Sequence, residues 1–494
     1  MDHRKPNVLF IFPDQWRSDC LGFLQKHPVR TLFLDDLAEK SVVFDRAYSV
    51  HPTCIPARAS LLTGLTANSH GRLGYQDGVP WRYENTMPEL LRNGGYETLC
   101  VGKTHFFPQR VRLGFEQMRL YGNQWIEEEF ESDYHAWLKE KSGNTVRDPG
   151  IEICSDNSWH ARAWPGPEEL HPNVWTTNEA IDSIDKRDPT RPFFLQVNYH
   201  RPHPPFDPPA SFLTTYDRVQ PTEPILGEWA AEYSEPIRKD LQEKWGVLDD
   251  DLMTDFRRAY YAQLSALDYE IGRLVYYLRR KKIFDNTIII FSSDHGETMG
   301  DHNLFGKCTP FQPSVSIPFF ISFPKKFEIE PGRNEKELVS LVDIMPTLLE
   351  SSGLPVPDFC EGTSLMSACR DKHHTARDFL HGEHAPSMRR DESWQFIIRT
   401  NDKYIWDARS GREWYFDLAD DPLEKINRID DRQYASPIAE CRSLLVDVLK
   451  HRSDDALVEQ GQLKPGKALP SCRPNLLNVC LDYDEKVRGT ESVR

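Results

Sequence analysis

Three short segments, far apart in the chain, carry residues that could do chemistry. The first is Cys54-Ile55-Pro56-Ala57-Arg58-Ala59-Ser60-Leu61-Leu62-Thr63-Gly64, in which a thiol stands near an arginine. A cysteine is most often an inert buried thiol. Next to a guanidinium it can instead be a thiolate nucleophile with a lowered pKa. The other two segments pair an aspartate with a second metal-capable side chain, Asp14-Gln15 and Asp294-His295. A lone aspartate after a strand is commonly a helix cap. Two such pairs, each at the end of its own apolar run, predict one divalent-metal site. A fourth segment, Arg201-Pro202-His203-Pro204, sets a histidine just past another apolar run. That histidine is either braced in a loop by prolines or placed for proton transfer near neutral pH.

These residues need a scaffold that brings distant segments together. Asn7 to Phe12 is continuously apolar, as a strand buried on both faces must be. Similar runs occupy Pro192–Asn198, Thr287–Phe291 and Ile317–Phe323. Ahead of the third, Phe256, Tyr260, Leu264, Leu267, Ile271, Leu274 and Leu278 recur at helical spacing and predict a helix over about 255–282. Strands alternating with helices imply an α/β domain with a large, mostly parallel central sheet flanked by helices. In such sheets ligands bind beyond the carboxyl ends of the strands. The texture changes after Leu354-Pro355-Val356-Pro357. Gln395–Arg399, Lys403–Trp406 and Glu413–Asp417 read as short strands, with Ser410-Gly411 as a hairpin turn and a helix over about 437–452. The division is therefore expected at 1–359 and 360–494, the second part being a smaller α+β subdomain with a loop-like tail after Gln460.

The bulk properties exclude some classes. The chain has 494 residues, 39% hydrophobic and 28% charged, an ordinary balance for a globular enzyme. Its net charge of −16 argues against general affinity for nucleic acid or anionic membrane. An anionic substrate would need a locally positive pocket. The first apolar run is shorter than a signal-peptide core and no segment is long enough to span a membrane, so the expectation is a cytoplasmic chain. The ten cysteines show no CxxC spacing, and most are expected as reduced thiols. The sequence carries no reading of oligomeric state.

Taken together, these segments resemble a known family. Cys54-x-Pro56-x-Arg58 followed by Leu62-Thr63-Gly64 resembles the signature of formylglycine-dependent sulfatases. Asn7–Ile11 leading into Asp14-Gln15, Gly102-Lys103-Thr104-His105, Ser293-Asp294-His295-Gly296-Glu297 with Gly300-Asp301-His302 and Lys307, and Val342-Asp343-Ile344-Met345-Pro346-Thr347 are similar to its other segments, in family order. The resemblance implies an alkaline-phosphatase-like fold and hydrolysis of an aryl or carbohydrate sulfate ester. It implies that a maturation enzyme oxidises Cys54 to formylglycine, whose hydrate attacks sulfur. Arg58 would steady that group, Lys103 and Lys307 would contact the sulfate oxygens, His203 would serve the leaving oxygen and His105 would take a proton from the nucleophile. Asp14, Gln15, Asp294 and His295 would hold one divalent metal.

Two of those residues depart from the family's usual Asp-Asp and Asp-Asn pairs. Gln15 and His295 lower the negative charge and add a nitrogen donor, whereas calcium favours oxygen cages. Calcium stays first by family, with manganese, magnesium or zinc possible. Gln and His here also resemble phosphonate monoester hydrolases, the alternative activity on this scaffold. Lys103 and His105 oppose that alternative, because those enzymes resemble a Tyr and Thr arrangement there. A chain whose Cys54 is never converted would be a non-catalytic binding protein. His51, His70, His302, His381 and His384 could line the pocket or sit in loops, and His373-His374 is too little for a second metal site. Trp16, Trp81, Trp125, Trp159 and Trp164 could stack on a ring or pack a core, and residues 121–172 are the expected specificity loops.

Overall fold

The computed structural model describes residues 5–477, apart from 123–126, 128–129, 153–156, 238–242, 372–373, 375, 388–390 and 453–455. Trp125, Cys154, His373 and Cys480 lie outside the described residues. The eight described cysteines are free thiols. Among the described residues no helix is long and apolar enough to cross a membrane.

The large sheet contains β1 (Asn7–Ile11), β2 (Val42–Tyr48), β3 (Glu97–Lys103), β4 (Gln117–Tyr121), β5 (Phe193–Asn198), β6 (Thr287–Ser292), β7 (Phe319–Ser322) and β8 (Gly332–Ser340). Their spatial order is β4-β3-β5-β1-β6-β7-β2-β8. The expected mostly parallel sheet is therefore present, with one exception: β7 runs antiparallel to both β6 and β2. β1 lies at the centre, with Val8 opposite Phe194 and Asn7 opposite Thr287. Its side chains alternate between faces. Leu9 and Ile11 join one core, and Val8, Phe10 and Phe12 join the other. That double burial is why the run reads as continuously apolar.

The long helix spans Asp250–Arg280. It begins ahead of the apolar periodicity because the Asp249 side chain accepts a hydrogen bond from the Asp251 amide, while Arg279 and Arg280 favour its carboxyl end. This helix fills the face bearing Leu9 and Ile11. The opposite face is filled by helices Cys54–Thr63 and Ile344–Ser351.

A smaller antiparallel sheet follows, β9 (Phe379–His384), β10 (Trp394–Arg399), β11 (Asp402–Asp407) and β12 (Glu413–Asp417), in the order β12-β11-β10-β9. Helix Ala435–Leu449 covers one face. Between residue 360 and this sheet, Leu365 and Ala368 still pack in the core of the large sheet. The stretch after Gln460 is mainly irregular, with Gln462–Leu463 paired to Val458–Glu459 and a short helix at Pro474–Leu477. Buried Lys403 of β11 pairs with buried Glu424, which also accepts the Gln312 amide from the large domain.

One glycine controls how the sheet delivers a lysine. Gly102 has φ +100°, and a Cβ there would lie 1.9 Å from the Asn198 carbonyl oxygen of β5. Gly102→Ala must therefore part β3 from β5 just before Lys103. The expected cost is about 2–4 kcal/mol, read as a lowered melting temperature. Wild-type stability in that variant would show that the close approach is not needed.

Candidate active site

The predicted residues come together at the carboxyl ends of β1, β3, β5 and β6. Asp14 and Gln15 follow β1, Lys103 ends β3, His203 follows β5, and Asp294 and His295 follow β6. Backbone bonds stitch these tips together. The Asp14 amide donates to the Tyr199 carbonyl, and the His203 amide donates to the Asp14 carbonyl, both at 3.0 Å. The Gln15 amide donates to Asp294 Oδ1 at 3.0 Å. From behind, Tyr260 of the long helix donates its hydroxyl to the Gln15 carbonyl at 2.8 Å. Gln15 and His105 both occupy the left-handed region, with φ 70° and 64°. Such conformations cost energy and persist where the surroundings over-determine them.

Cys54 opens the helix Cys54–Thr63, every residue of which is buried. Its sulfur is 3.2 Å from His295 Nε2, 3.2 Å from Lys307 Nζ, 3.7 Å from Asp14 Oδ1 and 3.9 Å from Lys103 Nζ. One turn along, Arg58 donates to Asp14 Oδ2 and Asp294 Oδ2, both at 3.1 Å, and to the Lys103 carbonyl at 2.8 Å. Lys103 Nζ pairs with Asp14 Oδ2 at 2.6 Å, and Lys307 Nζ reaches Gln15 Oε1 at 2.9 Å. Burial alone would raise the Asp14 pKa, but Lys103, His203, Lys307 and Arg58 hold it well below the usual carboxylate range. Asp294 moves the other way, because burial and the Asp14 charge outweigh His295 and Arg58. Burial and Asp14 push the Cys54 thiol up, yet Lys103, Lys307 and His295 bring it well below its usual value.

The donor set fits a divalent cation. Ligand atoms of Asp14, Cys54, Asp294 and His295 all lie within 4.8 Å of one another. The Nδ1 of His295 donates to the Gly296 carbonyl at 3.0 Å, so Nε2 is the ring nitrogen that faces the cluster. This is how metal-bound histidines are usually oriented. Gln15 is oriented by Glu297, which accepts its amide N–H while also accepting the Met299 and Gly306 amides.

The two histidines are set differently. His203 Nδ1 sits 2.8 Å from the Pro204 carbonyl, so Nδ1 carries the proton and Nε2 is left as acceptor. Burial, Lys307 and Lys103 hold its pKa well below 6.5. For His105, burial opposes protonation, but Asp77 and the nearby Cys54 sulfur win and its pKa lies above 6.5. Asp77 was not legible in the sequence: it lies in a turn with no motif, and only the fold brings it 3.2 Å from His105 Nε2. His384, at the end of β9, meets the Thr53 hydroxyl, so the small sheet braces the residue before Cys54.

Other sequence candidates lie outside this cluster. His51 is held by the Glu383 carbonyl and the Ala67 amide, His70 by Ser60, and His381 by Gln395. His302 accepts the Gly227 amide. Trp16 and Trp81 are core residues packed against Phe291 and Phe106. Trp164 packs against His171, while Trp159 lines a small cavity shared with Gln15 and Lys307.

A mostly parallel sheet with two carboxylates, two lysines and a buried thiol gathered beyond its strand tips is the arrangement of an alkaline-phosphatase-like hydrolase. Residues 6–354 match the Sulfatase family, and residues 300–451 match the N-sulphoglucosamine sulphohydrolase C-terminal family. The chain is 38% identical over 465 residues to the arylsulfatase of Clostridium perfringens, covering 91% of this chain and 95% of that one. Among solved structures it superposes on the phosphonate monoester hydrolase of Agrobacterium radiobacter, with TM-score 0.76, 26% identity, 93% of this chain and 99% of that one. It also superposes on BT4656 in complex with its substrate D-glucosamine-2-N,6-O-disulfate, with TM-score 0.74, 20% identity, 92% of this chain and 99% of that one. The chain belongs to the sulfatase family and is a sulfuric ester hydrolase.

Arg58 donates hydrogen bonds to both carboxylates. Arg58→Met should leave two buried charges under-compensated and cost about 3–5 kcal/mol. In EDTA the variant should melt well below wild type, and added Ca2+ should recover part of the gap. Equal melting temperatures in EDTA would mean that Arg58 does not hold the carboxylates together.

Proposed function

We propose that this enzyme cleaves an aryl or carbohydrate sulfate ester with a formylglycine made from Cys54 and one divalent cation. Carrying this reading is the position of the Cys54 sulfur, between His295 Nε2 and Lys307 Nζ at 3.2 Å each. A formylglycine-generating enzyme would act on Cys54 before the chain is active. Asp14, Gln15, Asp294 and His295 are assigned to the cation, with Ca2+ favoured and Mn2+, Mg2+ or Zn2+ as alternatives. Catalysis is assigned to residues 1–359, and the subdomain 360–494 supports it through His384 on Thr53.

A sulfate ester resists nucleophiles because its oxygens repel incoming electron density. When bound, the cation supplies Lewis acidity at a sulfuryl oxygen, and hydrated formylglycine supplies paired hydroxyls at position 54. Lys103 and Lys307 bind the other sulfuryl oxygens and offset their charge. Arg58, anchored on Asp14, Asp294 and the Lys103 carbonyl, holds the position-54 side chain from one turn along its helix. His203 serves the leaving alkoxide. Its Nε2 is bare in the resting ring, and the negative charge of the bound ester favours its protonation. His105 accepts the second hydroxyl's proton so that sulfate departs. Asp77 orients His105 and stabilises its charged form. The net reaction consumes one water and yields alcohol and inorganic sulfate.

Phosphonate or phosphodiester hydrolysis is a second reading, favoured by Gln15 and His295 and by the likeness to the Agrobacterium enzyme. Matched assays on 4-nitrophenyl sulfate and a phosphonate monoester decide between them. Dominant turnover of the sulfate is expected, lost in Cys54→Ala and on EDTA treatment, and restored by Ca2+. Peptide mass spectrometry should find formylglycine at position 54 in the active protein. Dominant phosphonate turnover, or full sulfatase activity with an unmodified thiol, would overturn this reading.

The Asp77 contact makes a pH prediction. His105 must be neutral to accept a proton, so activity rises as pH passes its pKa. Asp77 raises that pKa. Asp77→Asn should shift the acidic limb of the kcat–pH profile to lower pH, and His105→Ala should cut kcat by about 10²–10⁴-fold. An acidic limb that does not move in Asp77→Asn would remove His105 from this role.

A further inference from the structure

We propose that His200 is a substrate-binding residue whose Nε2–H donates a hydrogen bond to a sulfuryl oxygen beside Lys103. This rests on the sulfate-site reading above. His200 lies just beyond β5, is 2% exposed, and is packed between Tyr121 and His203, with ring centroids 4.5 Å and 4.9 Å away. One side of its ring is fixed by charge. Arg201 Nη1 stands 2.5 Å from Nδ1. A guanidinium can only donate, so Nδ1 must accept and the ring proton must sit on Nε2. Arg201 cannot turn away. It is fully buried and held by Asp207 at 2.7 Å and 2.8 Å and by Asp148 at 3.1 Å.

The resulting Nε2–H has no hydrogen-bond partner among the described residues. A buried donor left unpaired is costly and rare in a folded protein, and needs a reason. The ring packs on His203, whose amide donates to the Asp14 carbonyl, while the Asp14 amide donates to the carbonyl of Tyr199, the residue before His200. Asp14 in turn pairs with Lys103 Nζ at 2.6 Å. The ring with the unpaired N–H is therefore packed on a residue of the pocket in which Lys103 would meet the substrate anion. Such a donor differs from the lysines. It adds a directed hydrogen bond without adding charge, and the Arg201–Asp148–Asp207 network fixes its tautomer before substrate arrives. Burial and the adjoining cations also keep the ring neutral, so it does not trade protons with His203. The ligand class it suits is a tetrahedral oxyanion.

Two replacements separate the donor from the ring. His200→Phe keeps an aromatic ring between Tyr121 and His203 but has no N–H. His200→Gln offers an amide N–H at similar reach. Should the Phe protein not fold, His200→Met, which also lacks a donor, takes its place. Inorganic sulfate is titrated against each full-length protein through the rise in Tm, a reading that needs no turnover. The kcat/KM for 4-nitrophenyl sulfate is measured on the matured enzymes. With Phe, sulfate affinity should fall about tenfold and kcat/KM about 10²-fold. With Gln, both should recover in part. Wild-type sulfate affinity and kcat/KM in the Phe protein would overturn the proposal, as would equal impairment in Phe and Gln. A wild-type protein that shows no Tm response to sulfate and prefers the phosphonate ester would overturn the sulfate reading first and this inference with it.

Discussion

Asp14 and Asp294 stand side by side with no exposed surface, and most of the site's architecture follows from keeping them there. Two adjoining carboxylates removed from water repel one another strongly, so positive charge must be built in among them. Arg58 spans both, Lys103 caps Asp14, and Lys307 lies across the cluster on Gln15. The helix that begins at Cys54 is the means of delivery. It lifts Arg58 one turn above Cys54, so the proposed nucleophile position and the residue that neutralises the carboxylates are carried on one helix. Cation binding would complete the same balance from the opposite side.

The scaffold supplies this arrangement through its strand tips rather than through any one loop. β1 sits between β5 and β6, so the turns that carry Asp14, His203 and Asp294 are neighbours by topology. Backbone hydrogen bonds between those turns leave little freedom, and the left-handed backbone at Gln15 and His105 marks where the chain bends to aim a side chain. The small sheet is part of the same device. His384 touches Thr53, and the buried Lys403–Glu424 pair ties β11 to the segment around Gln312.

Much of this was legible in the sequence because the central strands are buried on both faces and end in unusual polar residues. The apolar runs at Asn7 and Thr287 became β1 and β6, and the periodicity from Phe256 to Leu278 became most of the long helix. The Cys54 helix gave no periodic signal, since it is buried all round and has no polar face. Edge strands β4 and β8 were also missed, because partial exposure breaks their apolar runs. The antiparallel direction of β7 cannot be read from one short strand. Of the site, the motif residues were readable, while Asp77, Glu297 and His200 were not given roles. Their importance comes from neighbours distant in the chain, or from one unpaired nitrogen that only packing reveals.

The electrostatics of the whole molecule run against its substrate. A net charge of −16 repels an anion at long range, yet physiological salt screens that repulsion over about 8 Å. Inside the pocket positive charge is concentrated: Arg58, Lys103 and Lys307 gather around Asp14 and Asp294, with Glu297 and Asp77 set behind Gln15 and His105. Low local dielectric makes that short-range concentration felt far more than the distant surface charge. Selection for an anion is therefore a property of the enclosed strand tips and not of the surface. It also explains why neutral groups are valuable there. Gln15 in place of a carboxylate limits the negative charge an incoming sulfate would meet, while leaving enough carboxylate to hold a divalent ion. The same balance bears on release: inorganic sulfate carries one more negative charge than the ester, so a pocket more cationic than this one would hold the product still more firmly.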